Sequence, residues 1–182
     1  MKKLGIIICG LVLMMGCERN IYRFTEGSVY GTVYHVSYQS EVDYTVEIRQ
    51  EMERVNQSLS MFNKESVIAR WNRGESERVD SLFVTMYEKA REVYEATGGG
   101  FDITVAPLVN AWGFGFKNEK LPSDGKIDSL LQYVGMDKVQ LEGVRLVKLV
   151  EGVQIDASSI AKGLGVDLVA EFFDREGVQN YM

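Results

Sequence analysis

Residues 155–167 form the stretch that most restricts how this chain can fold. Their sequence is IDASSIAKGLGVD, and they end a β-branched run over residues 147–155 that Glu151 and Gly152 interrupt. Beyond the two serines, apolar residues recur at helical spacing, namely Ile160, Leu164, Leu168 and Phe172. The pattern predicts a strand, a turn and a helix, with Ser158 or Ser159 as the N-cap and Gly177 as the residue that stops the helix.

This predicted helix start has the features of an anion site. The first N–H groups of a helix have no partner within it, and they attract negative charge. Lys162 lies in the first turn, and Asp156 precedes it at a point where a carboxylate could hold a hydroxyl, a ring N–H or a metal ion. A phosphate-bearing ligand fits this set. The alternative is an ordinary capped helix with a solvated lysine.

Composition limits the class of protein. The chain has 182 residues, 46% of them hydrophobic and 25% charged, which suits one globular domain. The predicted strands and helices are interleaved irregularly, which favours the α+β class. The net charge of −6 argues against a nucleic-acid partner held through phosphate contacts. With a single histidine, His35, a histidine-rich metal site is excluded, and we expect His35 to be structural or exposed.

A second block, residues 98–115, reads GGGFDITVAPLVNAWGFG. Together with residues 155–167, it resembles the ApbE family of FAD:protein FMN transferases. In that family a glycine-rich F-D-I-T-x-x-P-L-V-x-x-W-G-F-G block is followed by I-D-x-x-x-I-A-K-G-x-x-x-D. Both blocks stand here nearly unbroken and in the same order. The resemblance covers the chain from about residue 27 to its end.

The resemblance implies an ApbE-like, T-fold-related fold of the α+β class, with a mixed sheet and packed helices. It also implies a reaction in which the FMN half of FAD moves to a threonine hydroxyl of an acceptor protein, of the redox-complex subunit type. Mg²⁺ assists and AMP departs. Two alternatives stay open, a hydrolase that splits FAD into FMN and AMP, and a flavin-binding lipoprotein without turnover.

The family pattern also implies site residues. Asp156 and Lys162 would contact FAD, and the backbone carbonyl of Ser159 would bind Mg²⁺. Residues 100–102, which are Gly100, Phe101 and Asp102, would line the flavin nucleotide pocket. Asp102 and Thr104 are predicted to point the same way on a short strand. No catalytic residue is assigned.

Two aromatic residues complete the candidate site. Tyr30 stands where the family has the methionine of Met-Gly-Thr at a flavin-contacting turn, within a strand predicted over residues 29–38. Phe62 stands where the family has an aromatic beside the isoalloxazine ring. Its ring could stack on flavin or serve as a core anchor. Trp112, Phe114 and Phe116 are predicted to be packing residues.

The first residues resemble a lipoprotein signal. Two lysines precede a short apolar stretch, and Gly16 precedes Cys17. We therefore expect residues 1–16 to be a signal peptide, Cys17 to carry lipid, and residues 17–26 to be a tether. Residues 27–182 would be the FAD-binding domain, held at the cell envelope by a lipid anchor and facing the periplasm.

Helices are predicted over residues 43–58 and 81–96, and from residue 121 onward, with Ser66 as the N-cap of another. Residues 139–141 and 144–150 are predicted to be strands joined at Glu142 and Gly143. Residues 178–182 resemble the start of a family strand that leads into a further half with Mg²⁺ ligands. We therefore expect a truncated chain with weak Mg²⁺ binding, little turnover and a tendency to associate.

Overall fold

A computed structural model describes residues 21–114 and 121–182. The predicted signal peptide, the lipidation site at Cys17 and the packing role of Phe116 lie outside the described residues. Within the described part, no helix is both long enough and apolar enough to cross a membrane.

The described residues form helices and strands that alternate irregularly along the chain, so the α+β prediction is confirmed. The helices are α1 (Thr45–Leu59), α2 (Val67–Asn72), α3 (Ser81–Ala96), α4 (Ala106–Ala111), α5 (Asp124–Leu131) and α6 (Ala161–Arg175), with one 3₁₀ turn at Met136–Lys138. The strands are β1 (Tyr22–Val29), β2 (Thr32–Gln39), β3 (Val139–Glu142) and β4 (Arg145–Lys148).

The first two strands form an antiparallel hairpin that the sequence did not predict. Tyr30 and Gly31 make its two-residue turn, with φ values of 53° and 71°, and Val29 pairs with Thr32. The strand predicted over residues 29–38 is confirmed for residues 32–38, which lie in β2, and is wrong at Tyr30 and Gly31, where the chain reverses. The tether prediction is also wrong for residues 22–26, which belong to β1 and pair with β2.

The end of the chain extends this hairpin on its other side. The Ser37 N–H donates to the Met182 carbonyl, and the Met182 N–H donates to the Ser37 carbonyl, both at 2.8 Å. The Gln39 N–H donates to the Asn180 carbonyl at 2.9 Å. Strand β2 therefore has partners at both edges.

The second hairpin joins β3 and β4. Glu142 pairs with Arg145, so the turn consists of Gly143 and Val144, one residue later than predicted. A neighbouring segment lines the free edge of β4, with the Val79 N–H donating to the Val144 carbonyl and the Leu146 N–H donating to the Glu77 carbonyl, both at 2.9 Å.

Local sequence signals fix the helices. Helix α1 buries an apolar face formed by Ile48, Met52, Val55 and Leu59. Helix α3 has the predicted bounds, and its N-cap Asp80 accepts from the Phe83 N–H at 2.8 Å. Val93 is 42% exposed, whereas Tyr94 in the same turn packs against the larger core cluster.

The core has two parts. The larger cluster surrounds Trp71, Phe83 and Ile155, and the smaller one surrounds Tyr38 and Phe173. Helices α1 and α6 pack on each other and contribute to both clusters.

Two aromatic residues after α4 lie outside this core. Trp112 and Phe114 are 45% and 82% exposed, so the prediction that they pack is wrong. An aromatic side chain is buried only where another element covers it, and in the described ranges none covers these two.

Candidate functional site

The turn before α6 is built differently from the prediction. The Asp156 carboxylate accepts from the Ser158 N–H at 2.7 Å, and the Ala157 carbonyl accepts from the N–H groups of Ile160 and Ala161 at 3.0 and 2.8 Å. Helix α6 starts at Ala161 with Ile160 as its N-cap, and no side chain caps it. The N-cap prediction for Ser158 or Ser159 is wrong, because backbone turns lead into the helix and its N-cap is Ile160, which makes no side-chain cap.

The other end of α6 follows the prediction. Gly177 has a φ of 74°, and its N–H donates to the Asp174 carbonyl at 3.2 Å. The Val178 N–H donates to the Phe173 carbonyl at 2.9 Å. These two bonds form a Schellman motif, in which a glycine adopts the left-handed conformation.

The start of α6 leaves backbone groups open. Among the hydrogen bonds of the described residues, none uses the N–H groups of Lys162 or Gly163, and none is made to the Ser159 carbonyl. A Cβ added at Gly163 would meet nothing within 4 Å. The exposed start of α6 therefore combines open N–H donors, the cationic side chain of Lys162 and the open carbonyl of Ser159.

A cavity of about 260 Å³ opens at this surface. It is lined by residues of α1, of the loop after α1 and of the α6 start, namely Tyr30, Val55, Asn56, Leu59, Ser60, Met61, Phe62, Ser158, Ala161 and Lys162. Lys162 is the one charged side chain in this set of described residues. The cavity thus joins an apolar wall to a single cation.

Phe62 is exposed on the wall of this cavity. Its side chain is 73% exposed, so the alternative that it anchors the core is excluded. The loop is fixed beneath it, because the Ser60 hydroxyl oxygen accepts from the N–H groups of Phe62 and Asn63 at 3.3 and 3.2 Å. The ring face is available to stack on a planar ligand.

Tyr30 closes the cavity from the hairpin side. Its hydroxyl donates to the Met52 carbonyl at 2.6 Å, and burial, with a smaller effect of the Glu53 carboxylate, raises the pKa of that hydroxyl. A Cβ at Gly165 would lie 2.9 Å from the Tyr30 hydroxyl oxygen, so only glycine lets the ring approach α6 this closely.

A second cavity, of about 570 Å³, shares Met61 and Phe62 with the first. Its other lining residues are mostly polar or charged, namely Lys64, Glu65, Ala69, Asn72, Arg73, Glu75, Asn110 and Gln154. Arg73 Nε lies 2.6 Å from Glu75 Oε1, and this contact raises the pKa of Arg73 and lowers that of Glu75. Phe62 therefore stands at the border of an apolar and a polar cavity.

Residues 100–102 lie apart from both cavities, and none of them is among the lining residues. The Asp102 carboxylate accepts from the N–H and the hydroxyl of Thr104 at 2.7 and 2.6 Å, while Thr104 Oγ1 accepts from the Gly135 N–H at 2.6 Å. The predicted proximity of Asp102 and Thr104 is confirmed. It arises in a turn and not on a strand, so the predicted strand is wrong.

Backbone contacts join the two sequence blocks. The Asp156 N–H donates to the Ile103 carbonyl at 2.8 Å, which places the turn before α6 beside the turn after Asp102. Gly100 is exposed, and the Phe101 N–H donates to Thr97 Oγ1 at 3.1 Å.

Asn72, at the end of α2, contacts the backbone of Ile155, and the sequence did not predict this contact. Its Nδ2 donates to the Ile155 carbonyl at 2.9 Å, and its Oδ1 accepts from the Ile155 N–H at 2.8 Å. The available signal was the asparagine itself, since a side-chain amide can replace a backbone partner.

The described residues do not form a complete metal site. In the described ranges no group of three or more His, Cys, Asp and Glu side chains could hold a metal ion. The free carbonyl of Ser159 is compatible with one ligand of a hard cation such as Mg²⁺. His35 lies on the first hairpin, where its Nδ1 atom is 3.2 Å from Glu26 Oε2. Its side chain is exposed, as predicted.

These observations define an α+β protein in which a helix N-terminus, a lysine and an exposed aromatic ring share one cavity, an arrangement suited to a nucleotide. The model of the ApbE family matches residues 30–182, and the chain belongs to this family.

Curated relatives carry the same function name. The FAD:protein FMN transferase of Vibrio cholerae serotype O1 is 31% identical over 194 residues, which cover 100% of this chain and 58% of that protein. The FAD:protein FMN transferase of Haemophilus influenzae is 34% identical over 203 residues, which cover 100% of this chain and 59% of that protein. The chain thus spans somewhat less than three fifths of the length of these relatives.

Solved structures agree in fold. The flavin transferase ApbE from Vibrio cholerae superposes with a TM-score of 0.83 at 32% identity, covering 89% of this chain and 56% of that chain. The apo form of the Pseudomonas stutzeri flavinyl transferase ApbE gives a TM-score of 0.82 at 29% identity, covering 88% and 55%.

Proposed function

We propose that this chain binds FAD at the cavity between Phe62 and Lys162, and that it serves the transfer of FMN from FAD to a threonine hydroxyl of an acceptor protein. The observation that carries the proposal is the presence of both residues on one cavity wall at the open start of α6. The function name shared by the relatives supports the reaction.

Each residue has a role suited to its surroundings. The Phe62 ring offers a face for the isoalloxazine, and Lys162 with the free N–H groups of α6 balances the charge of the pyrophosphate. The Asp156 carboxylate holds the turn through the Ser158 N–H, which keeps those donors aligned. The proposed contacts of Gly100, Phe101 and Asp102 with the nucleotide would require FAD to reach beyond the cavity.

The proposed reaction is a phosphoryl-type transfer. The threonine oxygen bonds to the phosphorus of the FMN half and the hydroxyl proton passes to solvent. The bond from that phosphorus to the bridging oxygen breaks, and AMP leaves with that oxygen. Such reactions depend mainly on positioning and charge neutralisation. The cation and the N–H groups at the start of α6 match this need. Transfer to water in place of threonine would release FMN and AMP.

We include Mg²⁺ in the proposal, with the Ser159 carbonyl as one ligand. Because the described acidic side chains do not cluster into a site, the remaining oxygens must come from other groups. Pyrophosphate oxygens of FAD are suitable in kind. Bound Mg²⁺ would supply additional positive charge.

Binding by this chain tests the proposal. Lys162→Ala should weaken FAD binding about ten- to a hundredfold, because a charge-assisted contact contributes about 1.5–3 kcal/mol. Asp156→Ala should also weaken FAD binding, because the turn that aligns the α6 donors loses the acceptor of the Ser158 N–H. Asp156→Asn can still accept from the Ser158 N–H, so it should keep the turn and bind FAD more tightly than Asp156→Ala. Fluorescence titration gives the dissociation constants, and Lys126→Ala on α5 is the matched control.

Phe62→Ala should weaken FAD binding, whereas Phe24→Ala, which removes a similarly exposed ring on β1, should not. Unchanged affinity in the Lys162, Asp156 and Phe62 variants would refute the assignment of the cavity. The mass of a threonine-bearing acceptor after incubation with FAD and Mg²⁺ separates transfer from hydrolysis, since only transfer adds FMN to it.

We also propose that Cys17 carries lipid and holds the domain at an envelope membrane, facing the periplasm. The support is the sequence alone, in which an apolar stretch is followed by Gly16 and Cys17. Cys17→Ser should leave the protein soluble or uncleaved in cell fractionation. A cleaved variant that still sediments with membranes would contradict this address.

A further inference from the structure

We propose that Asn72 is a positioning residue, which fixes the turn carrying Asp156 relative to the loop carrying Phe62. The inference rests on the proposed function, because it concerns the two walls of the same FAD cavity. Its basis is the two-way contact of the Asn72 amide with both backbone polar groups of Ile155, at 2.9 and 2.8 Å.

Ile155 is the residue directly before Asp156, and its side chain is fully buried. A buried backbone N–H or carbonyl without a partner costs about 1–3 kcal/mol in general. Asn72 satisfies both groups at once, because its side chain carries one acceptor and one donor in a single plane. Its contact therefore holds the backbone that delivers the Asp156 carboxylate to the Ser158 N–H.

The other end of α2 holds the Phe62 loop. Ser66, the N-cap of α2, donates its hydroxyl to the Ser60 carbonyl at 2.7 Å and accepts from the Ala69 N–H at 3.1 Å. The Ser60 hydroxyl oxygen in turn accepts from the Phe62 N–H. Helix α2 thus connects the Phe62 wall at its N-cap, Ser66, with the Asp156 turn at its last residue, Asn72.

Further contacts fix Asn72 itself. Lys148 Nζ donates to the Asn72 carbonyl at 3.1 Å and lies 4.4 Å from the centre of the Trp71 ring. Trp71 Nε1 donates to the Leu146 carbonyl at 2.7 Å. Asn72 Nδ2 also lies 3.9 Å from the sulfur of Met61, which lines both cavities. The end of α2 is therefore held from β4 while it holds the site.

Two variants test the inference in the full 182-residue chain. Asn72→Asp keeps an acceptor for the Ile155 N–H but, when ionised, has no donor for the Ile155 carbonyl. Asn72→Ala loses both. Met86→Ala is the control, since it removes a fully buried side chain from the same core cluster without touching the cavity. Urea unfolding midpoints of all three variants are measured alongside the functional readouts.

The first readout is the FAD dissociation constant. We expect Asn72→Asp and Asn72→Ala to weaken binding about tenfold or more, which corresponds to about 1.4 kcal/mol. The FAD dissociation constant of Met86→Ala should stay within about twofold of that of the unmodified chain, although its urea midpoint falls as much as those of the Asn72 variants or more. Equal affinity in the Asn72 variants, or losses that follow the urea midpoint across all three variants, would overturn the inference.

The second readout needs no ligand. Hydrogen exchange of the Ser158 amide, measured by NMR, should accelerate at least about fivefold in Asn72→Asp and remain unchanged in Met86→Ala. If the unmodified chain does not bind FAD, the proposed function fails while this exchange still decides the role of Asn72. Unchanged exchange at Ser158 in Asn72→Asp would refute it.

Discussion

Tyr30 connects three parts of the molecule through one side chain. It forms the turn of the first hairpin, its hydroxyl donates to the Met52 carbonyl on α1, and its ring lies against Gly165 on α6. It also lines the cavity that holds Phe62 and Lys162. A substitution of Tyr30 should therefore change both the free energy of unfolding and the affinity of the cavity for its ligand.

The raised pKa of Tyr30 predicts a loss of stability in alkali. The folded state keeps the hydroxyl proton above the unfolded pKa of 10.0, so the contribution is complete below pH 10 and is lost as the pH rises further. Tyr30→Phe should cost about 0.5–1.5 kcal/mol at pH 8 through the lost hydrogen bond. It should also show a shallower decline of unfolding free energy above pH 10. Urea unfolding at pH 8, 10 and 11 measures both, and an unchanged slope in the variant would contradict the prediction.

At the scale of single residues, the sequence predicted residues suited to ligand binding but not the residues that hold them in place. Lys162 and Phe62 were predicted from motif position, and the structure brings them to one cavity. The role of Asn72 was not predicted, because it depends on a contact with Ile155, 83 positions away in the chain. Distances of that kind follow from the packed core, and no local pattern encodes them.

At the scale of elements, α6 is defined by glycines at both ends with different roles. Gly177 has a φ of 74° and ends the helix, whereas Gly163 lies within its first turn, where no positive φ occurs. A Cβ at either position would meet nothing within 4 Å, so contacts with neighbouring atoms do not distinguish the two glycines. Only their backbone conformations differ.

This pair predicts opposite effects of the same substitution. Gly177→Ala should destabilise the protein by about 1 kcal/mol, because alanine pays for the left-handed conformation. Gly163→Ala should stabilise it by about 0.5 kcal/mol, because glycine lowers helix stability relative to alanine. Urea midpoints of the two variants compare them directly. A loss of stability in Gly163→Ala would mean that the start of α6 is not an ordinary helical turn.

Helices were predicted better than strands, for a physical reason. Helix α3 has a regular apolar face and the capping residue Asp80, which are local signals. The first hairpin turns at Tyr30 and Gly31, and a tyrosine in a left-handed conformation is rarely a turn signal. The predicted tether therefore overlaps β1 at residues 22–26, because the pairing of β1 with β2 is a property of two segments together.

At the scale of the whole molecule, α1 and α6 join the two core clusters, and the open start of α6 emerges where they meet the Phe62 loop. The cavity is thus a consequence of how the helices pack. Its apolar wall continues the core, and its charged rim is added by the start of one helix. The α+β class was predictable from the pattern, but this meeting point was not.

The last prediction concerns Mg²⁺ in the 182-residue chain. Mg²⁺ requires six oxygens in near-ideal geometry, and the described residues offer the Ser159 carbonyl without a cluster of carboxylates. Calorimetric titration at about 0.15 M salt, which screens the net charge of −6, should give a dissociation constant weaker than about 1 mM.

Saturating FAD should then strengthen Mg²⁺ binding at least about fivefold, since pyrophosphate oxygens can join the Ser159 carbonyl. By reciprocal linkage Mg²⁺ should strengthen FAD binding by the same factor. Lys162→Ala should reduce FAD affinity with and without Mg²⁺, while Lys126→Ala serves as the control on α5. A Mg²⁺ dissociation constant below about 10 μM without FAD would contradict the prediction. Such tight binding would require a preformed set of oxygen ligands, which the described residues do not provide.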